Sequence, residues 1–196
     1  PPLPEGRESE FEEGAVRGLY RRADAPEGPS KRATILFSGV SHTAAREAAE
    51  ELAEHYDVAA ELWSATSYKK LREEALAVER TNRLHPSAEP QVPLVTELLS
   101  ASEGPIAAVS DFMKAVPEQI ARFVPAGRPF HVLGTDGMGR SDTREALRRF
   151  FEIDTGHVVV AVLTGLLETG EIDASVVQDA IERYGIDPDA HDPSVL

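Results

Sequence analysis

The sequence predicts a layered α/β domain with a mostly parallel β-sheet. Short apolar runs of strand length alternate with longer segments whose apolar residues recur at helical spacing. Clusters of proline and glycine separate these runs, as turns do between the elements of such a domain. The chain has 196 residues, of which 41% are hydrophobic and 28% charged. That length is enough for one well-buried domain and too short for two of full size.

Charge and residue usage disfavour several classes of function. The 34 acidic and 20 basic residues give a formal net charge of −14, which disfavours nucleic acid because Lys and Arg are needed to bind phosphates. The same acidic surface is compatible with a basic partner surface. The absence of cysteine excludes disulfides and thiolate metal sites and favours a cytoplasmic protein. No apolar run approaches the ~20 residues that span a bilayer, so we expect no membrane partner.

The amino-terminal segment is predicted to be a linker. Residues 1–14 open with prolines at positions 1, 2 and 4 and continue with an acidic run that has little to bury. The chain also starts without a methionine, and we expect it to be a piece of a longer polypeptide. The folded domain is predicted over residues 15–196.

The first half of the domain is predicted to contain three strands and two long helices. In chain order the elements are strands at 16–20 and 33–38, a helix at 44–56, a strand at 58–63, a helix at 67–83 and a loop at 85–93. The first two strands are expected to pair as a hairpin, with the first at the sheet edge. The loop is predicted because it holds three prolines, which forbid regular structure.

The second half continues the alternation. Its predicted elements are a helix at 94–99, a strand at 106–109, a helix from Pro117 through Phe123, a strand at 130–133, a helix at 146–151 and a last helix at 176–184 between Asp173 and Gly185. Residues 158–163 are ambiguous. Their β-branched side chains favour a strand, whereas extension through Leu167 equally allows a buried helix capped at Asp154 or Thr155.

A glycine-rich turn at 134–139 is the feature around which the rest is arranged. It joins the strand at 130–133 to the next helix, and its three glycines let the backbone turn sharply and approach a neighbour closely. Ser141 or Asp142 is expected to cap that helix, and Asp142 with Glu145 has the spacing of a capping box.

No complete catalytic set emerges from the motifs. The turn reads G-x-x-G-x-G, the reverse of the dinucleotide fingerprint. Arg140 lies beside a helix amino terminus, which suits an anion, but Asp136 and Asp142 flank it. A structural turn or interface loop is therefore the favoured interpretation, with an anion site as the alternative.

Other candidate chemistry is weaker. Gly39-Val-Ser-His-Thr43 resembles a nucleophile elbow but lacks the second glycine. We interpret Ser41 as a helix cap and His42 as an exposed first-turn residue. The six histidines are scattered without zinc-ligand spacing, so no metal site is predicted.

Several segments together resemble one family. They are Glu13-Gly-Ala-Val-Arg-Gly-Leu-Tyr20, Ala65-Thr-Ser67, Glu79-Arg80 with Asn82 and Leu84-His-Pro86, Ser110-Asp-Phe-Met-Lys114, Val132-Leu-Gly-Thr-Asp-Gly-Met-Gly-Arg-Ser-Asp142 and Val158-Val-Val-Ala161. The chain is similar to the last domain of the homodimeric, thiamine diphosphate-dependent pyruvate dehydrogenase (acetyl-transferring) decarboxylase component, within the transketolase superfamily. The likeness runs from about residue 3 to the end.

The resemblance implies a fold and an activity for the parent enzyme. It implies a three-layer α/β/α domain with a five-stranded mixed sheet whose first strand is antiparallel, and a helix rather than a strand at 158–163. The parent would use thiamine diphosphate and magnesium to decarboxylate pyruvate and would pass the acetyl group to a lipoyl arm. The family holds the diphosphate and magnesium through a GDG motif followed by asparagines in its first domain, and a glutamate in its middle domain activates the aminopyrimidine. No position here matches them, so we assign no catalytic, cofactor-binding or metal-binding residue to this chain.

The remaining expectation is a role in assembly. We predict an interface formed by Asp136, Gly137, Met138, Gly139, Arg140, Ser141, Arg144 and His85. The expected partners are the two preceding domains of the parent chain, a second copy in a homodimer, and the acetyltransferase component. Two alternatives remain open: a module whose acidic surface docks the acetyltransferase, and a free-standing regulatory domain that binds an anion near Arg140.

Overall fold

The structure is a computed structural model that describes residues 8–195. A five-stranded mixed β-sheet forms its middle layer. The strands are β1 (Leu19–Ala23), β2 (Lys31–Phe37), β3 (Val58–Ala65), β4 (Ile106–Val109) and β5 (Phe130–Leu133). Their order across the sheet is β1-β3-β2-β4-β5. β1 is antiparallel to β3, and all other neighbours are parallel. The predicted three-layer class with one antiparallel edge strand is confirmed.

The predicted hairpin between the first two strands is wrong. β1 pairs with β3, with Leu19 opposite Ala65, while β2 lies between β3 and β4. Both sides of β2 are occupied by parallel partners, so the chain crosses from the sheet edge to its centre after β1. The predicted position of β1 at the edge is confirmed.

Helices cover both faces of the sheet. They are α1 (Glu8–Arg17), α2 (His42–His55), α3 (Tyr68–Leu84), α4 (Leu94–Ser100), α5 (Ala115–Glu118), α6 (Arg144–Phe150), α7 (Thr155–Glu168) and α8 (Ala174–Arg183). The helix predicted to start at Pro117 begins two residues earlier and gives way to a separate 3-10 turn at Ala121–Phe123.

Alternating side chains divide the core into two halves. Ile35 and Phe37 point to a cluster formed with α2, α7 and α8, whereas Leu36 between them points to a cluster formed with α3 and α4. This alternation is the period-two pattern of a strand buried on both faces. The core is therefore continuous on either side of the sheet.

Residues 158–163 lie in the helix α7, as the family resemblance implied and against the strand that their β-branched composition favours. Asp154 caps this helix by accepting a hydrogen bond from the backbone nitrogen of His157 at 3.0 Å. Val158, Val162 and Leu166 are fully buried. Burial of nearly every face of α7 explains why its sequence carries little helical periodicity.

Part of the predicted linker is helical. Residues 1–7 lie outside the described part of the chain, but residues 8–13 belong to α1, and Phe11 is only 2% exposed. The Phe11 ring packs edge-on against Tyr20, with ring centroids 5.2 Å apart. Because α1 runs to Arg17, the strand predicted at 16–20 starts instead at Leu19, after Gly18 at φ +112°. The domain boundary at residues 14 and 15 remains a prediction.

Candidate functional site

The segments that follow β2, β4 and β5 meet at one side of the sheet. They comprise residues 38–41, 110–114 and 134–141, and we call them the carboxyl edge. In parallel α/β sheets, the loops at the carboxyl ends of the strands are where binding surfaces commonly form. Most of the predicted interface residues lie here.

The glycine turn is fitted closely against the loop after β4. A Cβ atom at Gly134 would lie 2.6 Å from the carbonyl oxygen of Phe112 and 2.8 Å from the backbone nitrogen of Lys114. Thr135 donates a backbone hydrogen bond to Phe112 at 2.9 Å. The Asp136 carboxylate accepts one from the Lys114 nitrogen at 2.8 Å. Asp136 therefore holds the turn in place.

The carboxyl-terminal tail packs on the other side of the turn. Gly137 has φ +101°, and a Cβ atom there would lie 1.8 Å from the carbonyl oxygen of Pro193, which is itself buried. Two hydrogen bonds from Ser194 lower the pKa of Asp192, with a smaller contribution from the charge of Lys114. Gly137 is thus required both by its backbone conformation and by the close approach of the tail.

Large apolar side chains are exposed around this turn. Val40 is 56% exposed, Phe112 51%, Met113 54% and Met138 76%. Met138 belongs to the predicted interface, but the other three were not predicted. A signal for Phe112 and Met113 was present in the sequence, since two large apolar residues lie in the turn after a predicted strand, next to the polar residues Ser110 and Asp111. The carboxyl edge therefore presents an apolar surface with a tightly held backbone beneath it.

Four arginines follow the turn, at positions 140, 144, 148 and 149. The Arg140 guanidinium carbon lies 4.3 Å from the centroid of the Phe150 ring, a cation–π contact. Arg149 donates to the carbonyl of Tyr184 at 2.9 Å and pairs with Asp154 at 3.2 Å. Arg144 and Arg148 line a cavity between α6 and the helices α2 and α7, and Arg149 lines the same cavity. The four side chains thus serve different contacts.

The start of α6 differs from the prediction. Thr143, and neither Ser141 nor Asp142, caps the helix by accepting a hydrogen bond from the backbone nitrogen of Ala146 at 3.2 Å. Asp142 accepts instead from the Thr143 nitrogen at 2.8 Å. The glycine turn therefore runs one to two residues further than the capping pattern suggested.

The other predicted positions lie elsewhere. His85 is exposed in the loop after α3. Its backbone hydrogen bonds are with Thr81 and Ala88, so they do not bring it to the glycine turn. Ser41 occupies the N-cap position of α2 but makes no capping side-chain bond, and it is buried. His42 is half-buried rather than exposed, with its ring tilted against Phe37.

A partly buried ionic network supports the start of α7. Burial alone would raise the pKa of Asp154, but hydrogen bonds from the side chain and backbone of His157, the charge of His157 and a hydrogen bond from Arg149 lower it to about 2. The Nδ1 atom of His157 lies 2.7 Å from the Asp154 carboxylate. The arrangement fixes α6, α7 and the end of α8 together, and it presents no nucleophile.

Among residues 8–195, one stretch, Arg144–Glu168, is long and apolar enough to cross a membrane by length and composition. In the fold it comprises α6 and α7, and α7 is packed in the core. That packing accounts for its apolar character.

The comparisons with known proteins agree with one another on the family. Residues 18–154 match the model of the transketolase-like TK C-terminal domain. The pyruvate dehydrogenase E1 component of Mycolicibacterium smegmatis is 50% identical over 175 residues, which are 89% of this chain and 19% of that protein. The E1 components of Pseudomonas aeruginosa and Escherichia coli K12 are each 42% identical over 193 residues, which are 98% of this chain and 21% of theirs.

Solved structures agree at the level of the fold. Transketolase from Leishmania mexicana superposes with a TM-score of 0.51 at 18% identity, covering 80% of this chain and 19% of that one. The chain spans about a fifth of the length of the curated relatives it matches. On the match over residues 18–154, the chain belongs to the transketolase-like C-terminal domain family.

Proposed function

We propose that this chain is the carboxyl-terminal assembly domain of a pyruvate dehydrogenase E1 component. In this proposal the carboxyl edge packs against the two preceding domains of the parent enzyme and against a second copy in a homodimer. The observation that carries it is the concentration of exposed apolar side chains at that edge. Eight large hydrophobic side chains are exposed among residues 8–195, and four of them lie at the carboxyl edge: Val40, Phe112, Met113 and Met138.

Burial of those four side chains by a partner would supply free energy of association. Fully burying one of this size stabilises an association by roughly 1.5–3 kcal/mol relative to leaving it in water. The backbone beneath them is held by Gly134, Thr135 and Asp136, so little conformational entropy is lost when a partner covers them. A rigid apolar surface of this kind is typical of an interface core.

The parent enzyme would decarboxylate pyruvate on thiamine diphosphate and magnesium and acetylate a lipoyl group. The described residues do not fit that cofactor, because residues 8–195 contain no group of three His, Cys, Asp or Glu side chains placed to hold a metal ion. We therefore assign no catalytic step to this chain. A cytoplasmic location remains part of the proposal.

The test places this domain at the carboxyl end of a full-length pyruvate dehydrogenase E1 component, in place of the corresponding part of that enzyme. Gly139→Val is the most direct change, because an added Cβ at Gly139 meets nothing within 4 Å and the fold is therefore undisturbed. Met138→Glu places a charge in the same surface. Both changes are expected to weaken dimer formation in analytical ultracentrifugation and to lower the rate of pyruvate decarboxylation.

Val16→Glu is the matched control, since Val16 is 66% exposed on α1 and lies outside the carboxyl edge. It is expected to leave both the dimer and the activity unchanged. If Gly139→Val and Met138→Glu also leave the sedimentation profile of the unaltered chimera unchanged, the proposed interface is wrong.

A second role, docking of the acetyltransferase component, is supported by the net charge of −14. An acidic surface attracts a basic partner over a distance set by the ionic strength. The isolated chain is expected to retain the acetyltransferase in a pull-down at about 20 mM salt and to lose it at about 500 mM salt, because screening shortens that distance. Failure to retain it at low salt would exclude this role.

A further inference from the structure

A cavity of about 690 Å³ lies between α6 and the first turns of α2 and α7. Arg144 and Arg148 of α6 line one side, with Thr43 of α2 and Thr155 of α7 on the other. Sites for small molecules usually occupy roughly 300–1,000 Å³. The cavity therefore has the dimensions of a ligand site, and it is separate from the apolar carboxyl edge.

Two of the carboxylates in the cavity already have partners. Glu47 accepts a hydrogen bond from the Thr155 hydroxyl at 2.9 Å and lies 3.5 Å from the Arg46 guanidinium. Asp154 caps α7 and pairs with Arg149 at 3.2 Å. The charge of Asp154 is thus balanced by Arg149, whereas Glu47 shares Arg46 with Glu50, which lies 2.6 Å from the same guanidinium.

The two arginines on the facing helix are not paired in this way. Arg144 and Arg148 make no ion pair or hydrogen bond with a side chain among residues 8–195, although the chain carries a large excess of acidic groups. Because they are four residues apart on α6, their side chains project from the same face with Cβ atoms roughly 5–6 Å apart. The cavity lining holds three arginines, Arg144, Arg148 and Arg149, and three carboxylates, Glu47, Asp154 and the exposed Glu145. Arg144 and Arg148 are the two of these arginines that have no side-chain partner among residues 8–195 and are therefore available to a ligand.

We propose that this cavity binds the phosphate group of a small phosphorylated molecule, with Arg144 and Arg148 as the binding residues. A guanidinium presents its donors in a planar fork that matches two oxygens of one phosphate. Two such forks on one helix face supply donors for a group with several acceptor oxygens. The cavity is larger than a single phosphate, and it leaves room for the body of the ligand. This assignment does not depend on the assembly role of the carboxyl edge.

Thermal unfolding of the 196-residue chain with inorganic phosphate tests the site. Ionic strength is held constant with sodium chloride, so that general screening does not change. The melting temperature is expected to rise with phosphate concentration and to respond less to acetate. In the double variant Arg144→Gln with Arg148→Gln, two charge-assisted bonds are lost. The phosphate concentration that gives half of the maximal rise in melting temperature is therefore expected to increase roughly tenfold or more.

Two controls make the result specific. Arg72 and Arg83 are exposed on α3, so the double variant Arg72→Gln with Arg83→Gln removes the same charge outside the cavity and is expected to keep the phosphate response. Arg140→Ala is also expected to keep it, because Arg140 lies over Phe150. The assignment would be overturned if phosphate did not raise the melting temperature of the unaltered chain, or if acetate raised it equally. It would also be overturned if the α3 control reduced the response as much as the Arg144→Gln, Arg148→Gln variant, or if Arg140→Ala alone abolished it.

Discussion

At the scale of single residues, two of the three glycines of the turn, Gly134 and Gly139, have opposite requirements. A methyl group at Gly134 would be forced against the backbone of Phe112 and Lys114, whereas one at Gly139 meets open space. Gly134→Ala is expected to lower the free energy of unfolding by about 1–3 kcal/mol, because backbone atoms cannot move aside as a side chain can. Gly139→Ala is expected to change it by less than about 0.5 kcal/mol. Urea unfolding of the two variants measures the difference, and equal effects would contradict the structure.

Asp154 gives a pH dependence with a definite sign. Its pKa falls from 3.8 to about 2 on folding, so the contribution to stability is present above pH ~4 and is lost as the pH falls from about 4 towards 2. Each pKa unit corresponds to about 1.4 kcal/mol, and the side chain is only 24% exposed. Asp154→Asn keeps a capping oxygen but removes the charge, so we expect it to cost about 2 kcal/mol at pH 7.

The measurement is the free energy of unfolding of both proteins from pH 7 to pH 2. The difference between them is expected to shrink below pH 4. Asp173→Asn serves as the control, since Asp173 occupies the N-cap position of α8 without a side-chain capping bond. A difference for Asp154→Asn that stays constant down to pH 2 would show that the charge network contributes nothing.

At the scale of secondary structure, α1 packs against the edge strand β1. Phe11 is buried against Tyr20, so its truncation to alanine removes a buried aromatic ring. Phe11→Ala is expected to lower the free energy of unfolding by about 3–5 kcal/mol, whereas Val16→Ala, at an exposed position on the same helix, is expected to cost less than about 0.5 kcal/mol. Chemical denaturation monitored by circular dichroism measures both. A small effect of Phe11→Ala would restore the view that this segment is only a linker.

The elements that were predicted correctly are those whose local sequence pattern allows one interpretation. The alanines and leucine of α2 recur along one side of a helix, and β2 and β4 are short apolar runs with turns at both ends. The strand favoured at 158–163 by composition was wrong because α7 is buried nearly all round, so its valines reflect depth in the core rather than a pleated surface. The family resemblance supplied the helix where local physics did not.

The pairing of β1 with β3 and the surroundings of the carboxyl edge depend on contacts distant in sequence. Val40, Phe112 and Met138 come from three separate segments, and their proximity to one edge follows only from the order of the strands. The predicted group was also too wide, since no described contact brings His85 to the turn. Sequence patterns located the turn itself, while the apolar residues around it required the topology.

At the scale of the whole molecule, the distribution of charge separates two kinds of site. The carboxyl edge exposes four large apolar side chains, and the cavity beside α6 holds two unpaired arginines in a chain of net charge −14. The first suits a protein partner and the second a small anion. A chain that carries both can take part in assembly and bind a ligand without either site blocking the other.

The distribution of charged side chains also predicts how this chain interacts with thiamine diphosphate. Its diphosphate is normally bound through magnesium, which requires carboxylate or carbonyl oxygens, and residues 8–195 contain no metal-binding group of three acidic or histidine side chains. We expect magnesium to give no increase in the affinity of the isolated chain for thiamine diphosphate in calorimetric titrations. Any affinity that persists without magnesium is expected to disappear in the Arg144→Gln, Arg148→Gln variant, because it would belong to the cavity beside α6. Micromolar binding that requires magnesium would show that this chain holds the cofactor itself, and the proposed division of labour within the parent enzyme would then be wrong.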